Sequence, residues 1–85
     1  MEKAVGFALL TISPLKEKEV YEKLQGIQEI AEVYPLFGEY DILLKIETSD
    51  IDSIGDIVIH KIRRIQGVTD TKTLISTKSL TGIKQ

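Results

Sequence analysis

Residues 3–12, KAVGFALLTI, carry no charge after Lys3 and show no polar alternation. An apolar run of this kind, rich in strand formers, points to a strand covered on both faces. That is a heavy demand on a chain of 85 residues. Such a length supports a single domain, here residues 1–85, that buries only about 60% of the surface its unfolded chain exposes. Cysteine and tryptophan are absent, and the aromatic residues are Phe7, Phe37, Tyr21, Tyr34 and Tyr40. Neither disulfides nor thiolate metal sites can supplement the core. Aliphatic packing must make it, and dimerisation is the remaining way to bury more surface.

The formal net charge is -2, with both signs interspersed. This is not the basic footprint that neutralises phosphates. His60–Arg64, HKIRR, is a local basic cluster that reads as a solvated helix face. The N-terminal apolar run follows an acid–base pair directly and lacks a small-residue cleavage site, so it does not read as a secretory signal. No run approaches the roughly 20 apolar residues of a spanning helix. A soluble, cytoplasmic protein is expected.

After the first strand, Ser13 and Pro14 give a cap-like residue followed by proline, a helix start. Val20, Leu24 and Ile27 follow at helical spacing, and Gly26 suits the C-terminal cap. Residues 29–37 read as a second strand, confined to a sheet edge because Pro35 cannot donate to a ladder. Residues 40–47 alternate Tyr40, Ile42, Leu44 and Ile46 against Asp41, Leu43, Lys45 and Glu47, a third strand. From about Asp50, the residues Ile51, Ile54, Val58, Ile62 and Ile65 form one stripe of a second helix. Residues 68–77 are a Thr-rich last strand.

The order βαββαβ predicts an α+β, ferredoxin-like fold, with a four-stranded antiparallel sheet of order 4-1-3-2 and both helices on one face. The two most apolar strands fall in the centre. With Ala4, Gly6, Ala8, Leu10 and Ile12 facing the helices, Val5, Phe7, Leu9, Leu43 and Ile75 are left on the other face. Burying four such side chains contributes roughly 6 to 12 kcal/mol gross, at about 1.5 to 3 each. Left exposed, they exceed the patch a monomer usually carries. A homodimer joined sheet face to sheet face, a dimeric α+β barrel, is expected.

Motifs for chemistry are sparse. His60 has no second His or Cys as co-ligand and no adjacent nucleophile. Asp50, Asp52 and Asp56 lack calcium-loop spacing and suit the positive end of the second helix. Gly6 and Gly38 form no phosphate-binding glycine motif. No catalytic residue, cofactor or metal is expected. Thr69, Thr71, Thr73 and Thr77 are good strand formers, and Thr71 and Thr73 are also candidates to meet a polar ligand or a neighbouring subunit.

The stretch 34–47, YPLFGEYDILLKIE, reads as a hairpin whose two-residue type II′ turn is Gly38–Glu39. Asp41 is then either a solvated strand-end residue or part of a small-molecule site. A free amino acid needs N–H donors for its carboxylate, which a turn can supply as an anion nest. It also needs an acceptor for its ammonium, which Asp41 can supply through a charge-assisted hydrogen bond.

The ordered set Gly38, Tyr40, Asp41, then Gly67–Val68, then Thr71 and Thr73 resembles the effector domain of the Lrp/AsnC regulators, called the RAM domain. The resemblance covers residues 4–77. It implies the same fold, sheet-to-sheet dimers, assembly of dimers into octamer-like rings, and an effector, usually an amino acid, bound where dimers meet. Carried over, the effector residues are Gly38, Glu39, Tyr40 and Asp41, with Thr71 and Thr73 as weaker candidates. Family members carry an N-terminal helix-turn-helix domain, whereas the first strand here starts by Lys3. The expectation is a stand-alone effector domain that regulates transcription or amino-acid metabolism without binding DNA itself, alone or with full-length regulators. The rival readings are a structural assembly module and a small dimeric α+β-barrel monooxygenase. The acidic Glu39 and Asp41 favour a cationic or neutral amino acid.

Overall fold

The apolar run becomes β1 (Ala4–Ile12), a central strand. It is followed by α1 (Glu17–Gln25), β2 (Ile30–Pro35), β3 (Ile42–Thr48), α2 (Ile51–Ile57), a π-helical turn (Val58–Ile62) and β4 (Val68–Ile75). The structure, a computed structural model, describes residues 3–76; Thr77 and the final KSLTGIKQ segment lie outside the described residues. The sheet order is β2-β3-β1-β4, all neighbours antiparallel, as the pattern predicts. Pro35 ends β2, an edge strand, where its missing N–H costs no ladder bond.

Strict alternation sets the core. Ala8, Leu10 and Ile12 of β1 and Ile42, Leu44 and Ile46 of β3 are buried with Val20 and Leu24 of α1 and Ile54, Ile57, Val58 and Ile62. Gly6 is required by close approach: a Cβ there would stand 2.7 Å from Ile54 Cγ2. Small residues on this side of β1 let α2 sit close to the sheet.

Four local expectations are corrected. Helix α1 starts at Glu17 rather than at Ser13–Pro14, because those residues turn with Leu15, which has a φ of 71°; Lys16 N–H donates to Ser13 O at 3.1 Å. Gly26 does close the helix, in right-handed geometry, its N–H bonding the Lys23 and Leu24 carbonyls. In the second helix Ile57 replaces Ile51 in the buried stripe, and Ile51 is half exposed. The segment expected to continue as α-helix is a π-helical turn, with Arg63 N–H donating to Val58 O at 2.8 Å, and Val58 and Ile62 stay on the buried side as the stripe predicts.

The fourth correction concerns β4. Ile75 pairs with Gly6 and so shares its helix-side facing, whereas Leu74 pairs with Phe7 on the face without helices. The face expected for Ile75 therefore belongs to Leu74. A bulge shifts the β1–β4 register between Thr11 and Ile12, which is why alternation counted from the start of β4 does not settle the facing.

Candidate functional site

The β2–β3 connection is wider than a two-residue hairpin. Leu36 N–H donates to Asp41 O at 2.8 Å, enclosing a four-residue loop, Phe37 to Tyr40. The cause lies in Asp41. Its N–H donates to Leu10 O at 2.8 Å, and its Oδ2 accepts from Ile12 N–H at 2.7 Å. Both bonds tie residue 41 to the end of β1, so it serves the β1–β3 ladder rather than a tight turn. The carboxylate thus satisfies a part-buried N–H at the point where β1 leaves the sheet. Gly38 takes a φ of 149°, a conformation other residues adopt only with strain.

Among the described residues, the N–H groups of Phe37, Gly38, Glu39 and Tyr40 have no hydrogen-bond acceptor. Asp41 Oδ1 likewise makes no hydrogen bond among the described residues, Oδ2 being the atom that holds Ile12. The loop therefore offers several donors at its tip and one carboxylate oxygen at its base.

Asp41 also forms part of a cleft of about 370 Å³ between α1 and the loop. Ile12, Tyr21, Pro35, Leu36 and Ile42 supply its apolar walls, and Glu17, Lys18 and Asp41 its charges. That volume lies within the range of small-molecule sites. The contribution of α1 was not anticipated from sequence. Its trace there is Tyr21, an aromatic residue next to the buried stripe of an otherwise charged helix.

Thr71 and Thr73 do not meet this loop within one molecule. They are half-buried on β4, opposite Leu10 and Ala8, at the far edge of the sheet from β2. Thr69 instead bonds Thr11 through their hydroxyls at 2.7 Å. His60 is exposed on the π-helical turn. Among the described residues, no three His, Cys, Asp or Glu side chains gather as metal ligands.

The sheet face without helices is apolar in its middle and charged at its margins. Val5, Phe7, Leu9 and Leu43 are half-buried there, with Leu74 and Tyr34 more exposed. Around them lie Glu32, Lys45, Glu47, Lys72 and Asp70, with Lys45 bridging Glu32 at 4.0 Å and Glu47 at 3.6 Å. Tyr34 donates to Glu32, and that bond holds its phenol above the ordinary value.

A family model described as the Lrp/AsnC ligand-binding domain matches residues 6–82. The chain belongs to this family. Its relatives include an uncharacterised HTH-type transcriptional regulator of Pyrococcus furiosus, 41% identical over 74 residues, which cover 84% of this chain and 49% of the relative. The crystal structure of FFRP-DM1 superposes with a TM-score of 0.82 at 34% identity, covering 87% of this chain and 99% of the other. Escherichia coli AsnC superposes with a TM-score of 0.83 at 25% identity, covering 96% of this chain and 56% of AsnC. This Lrp/AsnC domain thus spans about half the length of the curated relatives it matches, which are transcriptional regulators and not enzymes. The Lrp/AsnC assignment also agrees with the ferredoxin-like sheet described above.

Proposed function

We propose that this Lrp/AsnC domain binds a free amino acid at the Gly38–Asp41 loop and relays its occupancy to transcription regulation or amino-acid metabolism. The observation that carries the reading is the loop's pairing of opposite functions. Its tip offers backbone N–H donors that suit a carboxylate, and Asp41 Oδ1 is an acceptor that suits an ammonium. The adjoining cleft gives an apolar side chain somewhere to go. One fold neighbour is a Neisseria meningitidis transcriptional regulator in complex with L-Met, at 21% identity. That likeness speaks for the fold; the amino-acid reading rests on the loop.

The same proposal includes a homodimer through Val5, Phe7, Leu9 and Leu43, with Leu74 in the position first given to Ile75. It extends to rings of such dimers, with effectors where dimers meet and Thr71 and Thr73 as a neighbouring subunit's contribution. The domain itself reads an effector rather than nucleic acid, in keeping with its net charge of -2. Residues 1–85 act as one unit in the cytoplasm, partnering further copies or full-length regulators. Glu39 and Asp41 favour a neutral or cationic amino acid over an acidic one.

A thermal-shift panel of the common amino acids, run on the wild type and Asp41→Asn, tests this. Asn retains an oxygen for Ile12 N–H and loses the charge, so it separates the structural duty of Asp41 from ligand binding. A ligand at about ten times its Kd adds roughly 1.4 kcal/mol, several degrees for a domain this small. One or two amino acids should produce that shift in the wild type and not in the variant. A flat panel would refute effector binding and leave an assembly module, the reading the uncovered sheet face favours. An equal shift in the variant would move the site away from Asp41.

A further inference from the structure

We propose that β4 is a self-complementary edge, and that two copies join there strand to strand, antiparallel about Thr71, into one continuous sheet. β4 is the edge strand beside β1, at the opposite side of the sheet from β2. Ser76 N–H donates to Val5 O at 3.0 Å, which sets the phase of the ladder. Bonded and non-bonded positions alternate in an antiparallel pair, so Leu74, Lys72 and Asp70 turn their backbone groups to β1. Thr71 and Thr73 turn theirs outward, where no strand among the described residues meets them.

The side chains along this edge select the partner. Residues 69–73 place threonine at 69, 71 and 73 and opposite charges at 70 and 72. Antiparallel pairing of the strand with itself sets Thr71 opposite Thr71, and Asp70 opposite Lys72 of the second copy twice over, once on each side of a twofold axis. Asp70 and Lys72 share the sheet face without helices, since they pair with Thr11 and Leu9. Both are exposed, and neither has an ion-pair partner among the described residues. Opposite charges directly across a strand pair stabilise it, and like charges destabilise it. A register shifted by two residues would set Asp70 against Asp70 or Lys72 against Lys72, so the charges fix the alignment.

The two edges of the sheet are protected differently. β2 ends at Pro35, and its pairing with β3 shifts between Ile30 and Glu32, both devices that blunt an edge. From Asp70 to Ile75, β4 has neither proline nor glycine and keeps regular register. Lys72 alone would repel a second strand, but Asp70 supplies its match. The irregular pairing at Thr69 ends the ladder, so the contact is short and gains strength where copies are already held together. None of these residues lines the α1–loop cleft, and the inference does not depend on effector binding.

The chain lacks cysteine, so single thiols report the register. Thr71→Cys, treated with a short thiol-to-thiol crosslinker, should give covalently joined pairs, because opposed residues of a bonded pair lie about 5.5 Å apart at Cα. Ile75→Cys on the same edge should not, since about eight residues, roughly 26 Å of strand, then separate the two thiols. Adding Asp70→Lys to the Thr71→Cys chain should lower the linked fraction severalfold, and adding Lys72→Asp as well should restore it, with native circular dichroism throughout. Equal linking at positions 71 and 75, a linked fraction indifferent to the charge changes, or no linking of Thr71→Cys even at millimolar concentration would overturn the proposal.

Discussion

Leu43 and Leu44 are neighbours on the same central strand, yet they live in different solvents. Leu44 points at α1 and α2 and is wholly buried; Leu43 points the other way and remains half-buried, opposite Leu9. The contrast extends across β1, where Ala8 and Leu10 are sealed while Phe7 and Leu9 are not. The chain places large apolar residues on both faces of its sheet and has helices for only one. Ordinary half-covered antiparallel sheets turn polar residues outward, leaving a face that water can cover. Here the outward residues are large and apolar, ringed by Lys45, Glu47, Lys72 and Asp70, the make-up of the contact between copies proposed above.

The two faces should respond most differently to substitution on β3. Leu44→Ala should cost about 2 to 5 kcal/mol, the usual range for emptying a packed site, at every protein concentration. Leu43→Ala should lose stability that depends on concentration, because in the proposed pairing the contacts it removes are between copies. Urea melts across a wide range of protein concentration check both. Equal, concentration-independent losses would erase the distinction between the faces.

Next in size is the helix side's need for small residues. Gly6→Ala brings a Cβ within 2.7 Å of Ile54 Cγ2 and should cost about 1 to 3 kcal/mol by overpacking. Pairing it with Ile54→Ala, which removes both Cγ2 and Cδ1, should cost less than the sum of the two single losses. At the loop, Asp41→Ala leaves Ile12 N–H without its acceptor and should cost about 1 to 3 kcal/mol, whereas Asp41→Asn should be close to wild type in the absence of ligand.

The smallest effect belongs to a surface contact. Lys61 Nζ lies 3.1 Å from both carboxylate oxygens of Glu29, and this hydrogen bond, more than any other influence, holds the Glu29 carboxyl below its ordinary 4.5. A depressed carboxylate stabilises the fold above its unfolded pKa and loses that contribution as pH falls through the folded value. Glu29→Gln should therefore trail the wild type by less than about 1 kcal/mol at neutral pH. The gap should close in acid, below the ordinary carboxylate range. Thermal melts at the two pH values read this directly.

Sequence pattern carried the element order, the sheet order and most of the core, because each rests on local rules that tertiary structure did not override. Alternation placed Ile42, Leu44 and Ile46 together, and Pro35 fixed β2 at an edge. What was illegible depends on contacts between distant segments. The turn at Leu15 needs a leucine in left-handed backbone, which no propensity favours. The facing of Ile75 depends on the shift in β1–β4 pairing at Thr69, which only the partners Thr11 and Ile12 reveal. At the site, the Gly38–Asp41 cluster stood out through residue types. The true width of its loop did not, because the bonds that open it run from Asp41 to Leu10 and Ile12, about thirty residues earlier. The cleft was hidden for the same reason: Tyr21 and Leu36 become neighbours only once α1 lies over the sheet.

The claim that the uncovered face is a contact between copies is tested most directly by sedimentation equilibrium of the wild type and Leu43→Lys. A lysine there places a charge at the centre of the contact while leaving Leu44 and the helix side untouched. A wild type of two or more copies and a folded single-copy variant with native circular dichroism are expected. A wild type that sediments as one copy, or a variant that keeps the wild-type mass, would contradict it.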